Sequence, residues 1–133
     1  RLGSKRRNVM DPLIGEIRLF AFNFVPEGWM ACRGQELPVQ NHEALFALIG
    51  DSFGGNGHST FRLPDLQGRA PIGQGASSSV PTVEWGQAVD PPGYGLVEGG
   101  PQDDPDSPRW RAAPGFLSMS WCIAVQGVFP ART

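Results

Sequence analysis

Glycine and proline interrupt this chain so often that long helices and unbroken central strands are few: 18 Gly and 13 Pro in 133 residues make nearly a quarter of it. What is left to fold is a set of short elements joined by turns. The length fits one domain with a single modest core. A net charge of -2 argues against a duplex nucleic-acid partner, which needs a basic face to neutralise phosphates. The charge is uneven: Arg1, Lys5, Arg6 and Arg7 make a basic arm over residues 1–13, and Asp90, Glu98, Asp103, Asp104 and Asp106 make an acidic late segment. No run of about 18 apolar residues is present to span a membrane, and the first ten residues lack the apolar run of a secretion signal. Met10-Asp11-Pro12 reads as a translational start, which makes residues 1–9 a leader remnant or an upstream extension.

Residues 14–24 alternate Ile17 and Leu19 with Glu16 and Arg18, the period of a half-buried strand. Pro26-Glu27-Gly28 breaks it. Residues 29–32 and 36–39 flank Arg33-Gly34, a turn-forming pair that predicts a tight hairpin. Asn41 reads as the cap of a helix over residues 42–49, with Gly50 as its stop, and this is the one helix predicted. Its face of Leu45, Phe46, Leu48 and Ile49 is expected to pack across the strands and close the core. Residues 51–59, with Gly54, Gly55 and Gly57, read as a loop needing positive backbone angles.

From residue 75 to 115 periodicity is lost. Pro81, Pro91, Pro92, Pro101, Pro105, Pro108 and Pro114, with Ser77-Ser78-Ser79, mark a long irregular excursion, the kind of segment that serves as a binding surface or packs on a neighbour. Residues 116–129 return to strand character and need the first strand, or an equivalent, as partner. The fold class expected is therefore a β-rich α+β domain. It has one short helix packed on strands, and its N- and C-terminal strands lie close in space.

Catalytic chemistry is hard to find. His42 and His58 belong to no metal-ligand spacing, and neither is placed to activate a thiolate. Cys32 and Cys122 allow one disulfide, a pair of buried thiols, or nothing. Asp65 and Arg69, four apart across Gly68, are read as a local ion pair or carboxylate cap that pins a bend. Trp29 and Trp121 are expected to fill core. Trp85, Tyr94 and Trp110 sit in the excursion, where aromatic rings serve contacts between chains or with glycans, or fold back over their own core. No cofactor is called for.

Gly15-Glu16-Ile17, then Gly28-Trp29 with Cys32, Gly34 and Leu37, then Pro64-Asp65-Leu66-Gln67-Gly68-Arg69, together resemble the phage tail collar domain family, also called microcystin-dependent-protein-like. Trp85-Gly86-Gln87 and residues 116–132 are similar to its later blocks, so the resemblance frames a tail-collar-like domain over residues 14–133 with the excursion inside it. The chain departs from the family between those blocks, where the Pro-rich, acidic residues 89–111 stand in place of a histidine-bearing stretch. The family commonly carries Cys at the positions of Cys32 and Cys122, which implies their proximity.

The resemblance implies a non-enzymatic structural subunit of an extracellular fibre or filament: a phage tail fibre, a tail-like particle or a bacterial surface assembly. Its partner would be itself, as a trimer or a head-to-tail polymer, with Arg1, Lys5, Arg6, Arg7 and the excursion's aromatics as contacts. A glycan- or receptor-binding tip is the alternative, and a small hydrolase using Asp65 or Cys32 the remote one.

Overall fold

The computed structural model describes residues 11–76, 82–88 and 117–132. The chain divides into two compact units, one of Arg1–Gln67 with Met119–Thr133 and the other Gly68–Ser118.

In the first unit the elements follow the order β1 (Ile17–Phe20), β2 (Trp29–Ala31), β3 (Glu36–Pro38), α1 (Glu43–Ile49), β4 (Thr60–Arg62) and β5 (Ser120–Ala124). They form an antiparallel three-stranded sheet in the order β1-β5-β2 and a two-stranded antiparallel sheet of β3 and β4. The first and last strands are thus direct partners, as the alternation in each predicts. Pro38 is tolerated in β3 because, among the described residues, that strand has a single neighbour and one edge on which no donor is needed.

The hairpin predicted around Arg33-Gly34 does not form. β2 pairs with β5, and β3 pairs with β4, so Arg33-Gly34 carries the chain from one sheet to the other. Gly34 makes that exit with φ 71°, and the turn is held by the Gln35 side-chain amide donating to the Ala31 carbonyl at 2.8 Å. β1 is also shorter than the alternation suggests, because the chain bends at residues 21–24.

β5 is the central strand, and its burial shows it. Cys122, Ile123 and Ala124 are all fully buried, so the alternation expected of a half-exposed strand is absent. Register sorts the side chains. Ile123 lies opposite Ile17 and Met30, on the face that joins the core with Cys32, Leu37, Leu45, Ile49, Phe61 and Leu63. Cys122 and Ala124 lie on the other face, opposite Arg18 and Trp29 respectively. Small residues there let Arg18 of β1 reach across to Trp29 of β2, its guanidinium carbon 5.6 Å from the ring centre.

Seven residues of helix are too few to be stable alone, so α1 depends on packing. Leu45 and Ile49 are buried, and Phe46 meets the Phe61 ring at 5.4 Å, closing the core as expected. Its cap differs from the prediction. His42 occupies the N-cap position without a side-chain hydrogen bond, while Asn41 takes a left-handed conformation, φ 78°, just before it. Gly50 ends the helix, its N–H donating to the Phe46 carbonyl at 2.8 Å.

In the second unit Gly75 and Val83 exchange backbone hydrogen bonds of 2.8 and 3.0 Å. A turn over residues 84–87 follows, closed by the Gln87 N–H on the Glu84 carbonyl and by the Gln87 side chain accepting from the Glu84 N–H. Most of the predicted excursion, and the basic arm up to residue 10, lie outside the described residues.

Candidate functional site

The two sequence blocks that carry the most distinctive residues, 28–37 and 64–69, meet in space over residues 32–35 and 64–66, with Leu63 extending the contact. The Leu66 N–H donates to the Cys32 carbonyl at 3.0 Å, the Gly34 N–H to Pro64 at 3.2 Å, and the Leu63 N–H to Gln35 at 3.1 Å. Arg33 and Asp65 face each other as an isolated antiparallel bridge. Pro64 is buried beside the fully buried Leu63, which leaves the Asp65 carboxylate to accept the Gln67 N–H at 3.1 Å. This is an Asx-type turn. Gly68 follows with φ 67°, and a side chain there would meet nothing within 4 Å, so its backbone angle alone explains a glycine. Arg69 falls in the second unit.

At the other end of the first block, Gly28 turns with φ 84° and its carbonyl accepts from both Val125 and Gln126, at 2.9 and 3.2 Å. That pair of bonds fixes the start of β2 against the end of β5. Trp29, expected in the core, stands on the opposite face of the sheet, half-buried, edge-on to Phe20 at 5.2 Å and beneath Arg18. A one-residue step in register decides which face a strand residue takes, and the register of β2 on β5 puts Met30 inward instead. Trp121 does pack against the core, as expected.

Cys32 and Cys122 are both buried free thiols. Cys32 continues β2 on the core-facing side, its N–H on the Trp121 carbonyl at 2.9 Å, whereas Cys122 opposes Ala31 on the other side. The two lie near each other but across the sheet, the arrangement of separate thiols. Burial, reinforced by the neighbouring Cys122, pushes the Cys32 thiol up to about 12. Burial also raises Cys122, partly offset by the Arg33 guanidinium. Neither is ionised at neutral pH, and only a thiolate is a nucleophile.

Strand periodicity alone does not reveal an aromatic row on this unit. Phe20, Phe22 and Phe24 stack ring on ring at 4.8 and 4.5 Å, and Phe24 is 64% exposed. The signal was present as three phenylalanines at alternate positions, but strand periodicity assigned them no surface role. Nearby, Ile17 and Leu19 are 37% and 41% exposed on β1, an edge strand. Trp85, in the second unit, is 54% exposed at its turn. Arg1, Lys5, Arg6, Arg7, Tyr94 and Trp110 lie outside the described residues.

Among the described residues no group of three or more His, Cys, Asp or Glu is placed to hold a metal ion, and no helix is long and apolar enough to cross a membrane. In the first unit Gly28, Gly34 and Asp65 shape backbone turns, the two thiols are buried, and the outer strand presents apolar side chains. No curated protein matches the chain. The family model stops short of β5, which supplies the central strand. Residues 15–71, which hold β1 to β4, the helix and both distinctive blocks, match the model of the Phage Tail Collar Domain.

Proposed function

We propose that this chain is a non-enzymatic structural subunit that self-associates in an extracellular fibre or filament. A collar domain implies a structural role in a phage tail fibre and a place in the virion tail. The observation that carries the finer reading is the apolar surface of β1 and the aromatic row, where Ile17, Leu19, Phe22 and Phe24 are all left exposed by a domain with a small core. Association covers such surface, and each large side chain buried contributes about 1.5–3 kcal/mol. Sedimentation of the purified chain across a concentration series, with electron microscopy of the particles formed, tests the reading. Growth of mass with concentration into ordered fibres or rings supports it. A strict monomer at every concentration, absent from native particles, sinks it.

A second reading, a glycan-binding tip, is favoured by the exposure of Trp85 at a turn. Glycan binding that is lost in Trp85→Ala while assembly persists would favour it. An empty glycan array would remove it.

A further inference from the structure

The outer edge of β1 is self-complementary, and we infer that two copies of this chain pair there, antiparallel across a twofold axis through Ile17. The inference rests on the self-association reading and specifies one of its contacts.

β1 is the edge of its sheet, with β5 on one side and no described strand on the other. Its inward hydrogen bonds start at a glycine-led bulge: Gly15 donates to the Ala124 carbonyl at 2.9 Å, and Ala124 donates to the Glu16 carbonyl at 2.8 Å. With Arg18 then opposite Cys122 and Phe20 opposite Ser120, alternation turns the N–H and C=O groups of Ile17 and Leu19 outward. An edge with outward donors and acceptors is a template for a further strand. The opposite edge of the sheet is less open, because Cys32, just past β2, already accepts from Leu66.

Charge selects the register. Glu16 and Arg18 lie on one face of β1, 3.0 Å apart as an ion pair. With Ile17 opposite Ile17 of a second copy, each Glu16 stands opposite the other copy's Arg18, so opposite charges face across the axis once Arg18, which in the single chain lies over Trp29, turns toward the new edge. These are the non-hydrogen-bonded positions, where side chains approach most closely. Shifting to the register that pairs Ile17 with Leu19 would set Arg18 against Arg18, which is unfavourable. On the other face the exposed Ile17 side chains meet each other.

The test is oxidative cross-linking of the full chain carrying Ile17→Cys, with Leu19→Cys as the register control. Facing cysteines at Ile17 lie about 5.5 Å apart at Cα, within disulfide reach, whereas in this register each Leu19 lies opposite Gly15 and the two are about four residues apart along the strands. The expected result is at least tenfold more covalent dimer from Ile17→Cys. Equal or greater yield from Leu19→Cys, or none from either, overturns the register. A second arm changes charge and leaves the core alone: Arg18→Glu weakens dimer formation about tenfold in sedimentation, and the double swap Glu16→Arg with Arg18→Glu restores it. Failure of the swap to restore overturns the inference. A wild type that assembles without the Ile17 cross-link sinks this contact and leaves self-association standing; a wild type that stays monomeric sinks both.

Discussion

The Gly34 N–H donates to the Pro64 carbonyl at 3.2 Å, with the Asp65 side chain packed directly over the glycine. A Cβ on Gly34 would lie 3.1 Å from the Asp65 Cβ, and φ at Gly34 is 71°. Gly34→Ala therefore meets two penalties, a left-handed backbone and a tight contact, and is expected to cost about 1–3 kcal/mol. Gly68→Ala has the backbone penalty alone, since nothing lies within 4 Å, and is expected to cost about 1 kcal/mol. Urea unfolding of the two variants checks the order. An equal loss would show that the packing of Asp65 on Gly34 contributes nothing.

Asn56 organises the glycine loop between α1 and β4. Its Oδ1 accepts from the N–H groups of His58, Ser59 and Thr60 at 2.8, 2.8 and 3.0 Å, and its amide donates to the Ser59 hydroxyl. Asn56→Ala leaves three donors to solvent and is expected to cost about 1–3 kcal/mol. Asn56→Asp keeps the acceptor and is expected to lose less than half of that. Thermal midpoints of the two variants decide the matter, and equal midpoints would assign the loop's order to Gly54, Gly55 and Gly57 instead.

These two sites show what a sequence can display. The glycines of the loop were legible as positive-φ positions, and Gly55 is one, with its missing side chain replaced by the Phe61 backbone. Gly50 as helix stop and the pairing of the first and last strands were legible too, because each is signalled by local residues or by alternation. What failed depended on partners distant in the chain. Arg33-Gly34 looks like a hairpin turn until β5, about ninety residues later, takes β2 as its neighbour. The same event turns Trp29 outward and places Cys32 and Cys122 on opposite faces, since register is a property of two strands and neither carries it alone. The β1 edge was invisible for the same reason: an edge exists only once the sheet order is known.

Phe61 and Phe24 are chemically alike and differ in surroundings. Phe61 is fully buried against Phe46 and the helix, and Phe24 is mostly in solvent. Phe61→Ala is expected to cost about 3–5 kcal/mol, a large share of the stability of a small domain. Phe24→Ala is expected to change stability by less than about 0.5 kcal/mol, while lowering association if the aromatic row takes part in assembly. Denaturation and sedimentation of both variants separate core from surface. A large loss of stability in Phe24→Ala would place the row in the fold.

The Cys32 thiol makes stability depend on pH in the alkaline range. Its ordinary value is 9.0, and in the fold it is pushed up to about 12, first by burial and then by Cys122. A raised value means that the folded state keeps a proton which the unfolded chain releases. The contribution is fully present below about pH 9 and is lost as pH rises from there through about 12. Burial raises Cys122 in the same direction. Wild-type urea midpoints are therefore expected to fall from pH 8 to pH 11. The fall should be shallower in Cys32→Ala, where groups common to both chains still titrate. The companion measurement is alkylation at pH 8, expected to be slow for both thiols in the native protein and fast in urea. Parallel pH curves for wild type and Cys32→Ala, or fast native alkylation, would show that Cys32 is not held protonated by its burial in the core.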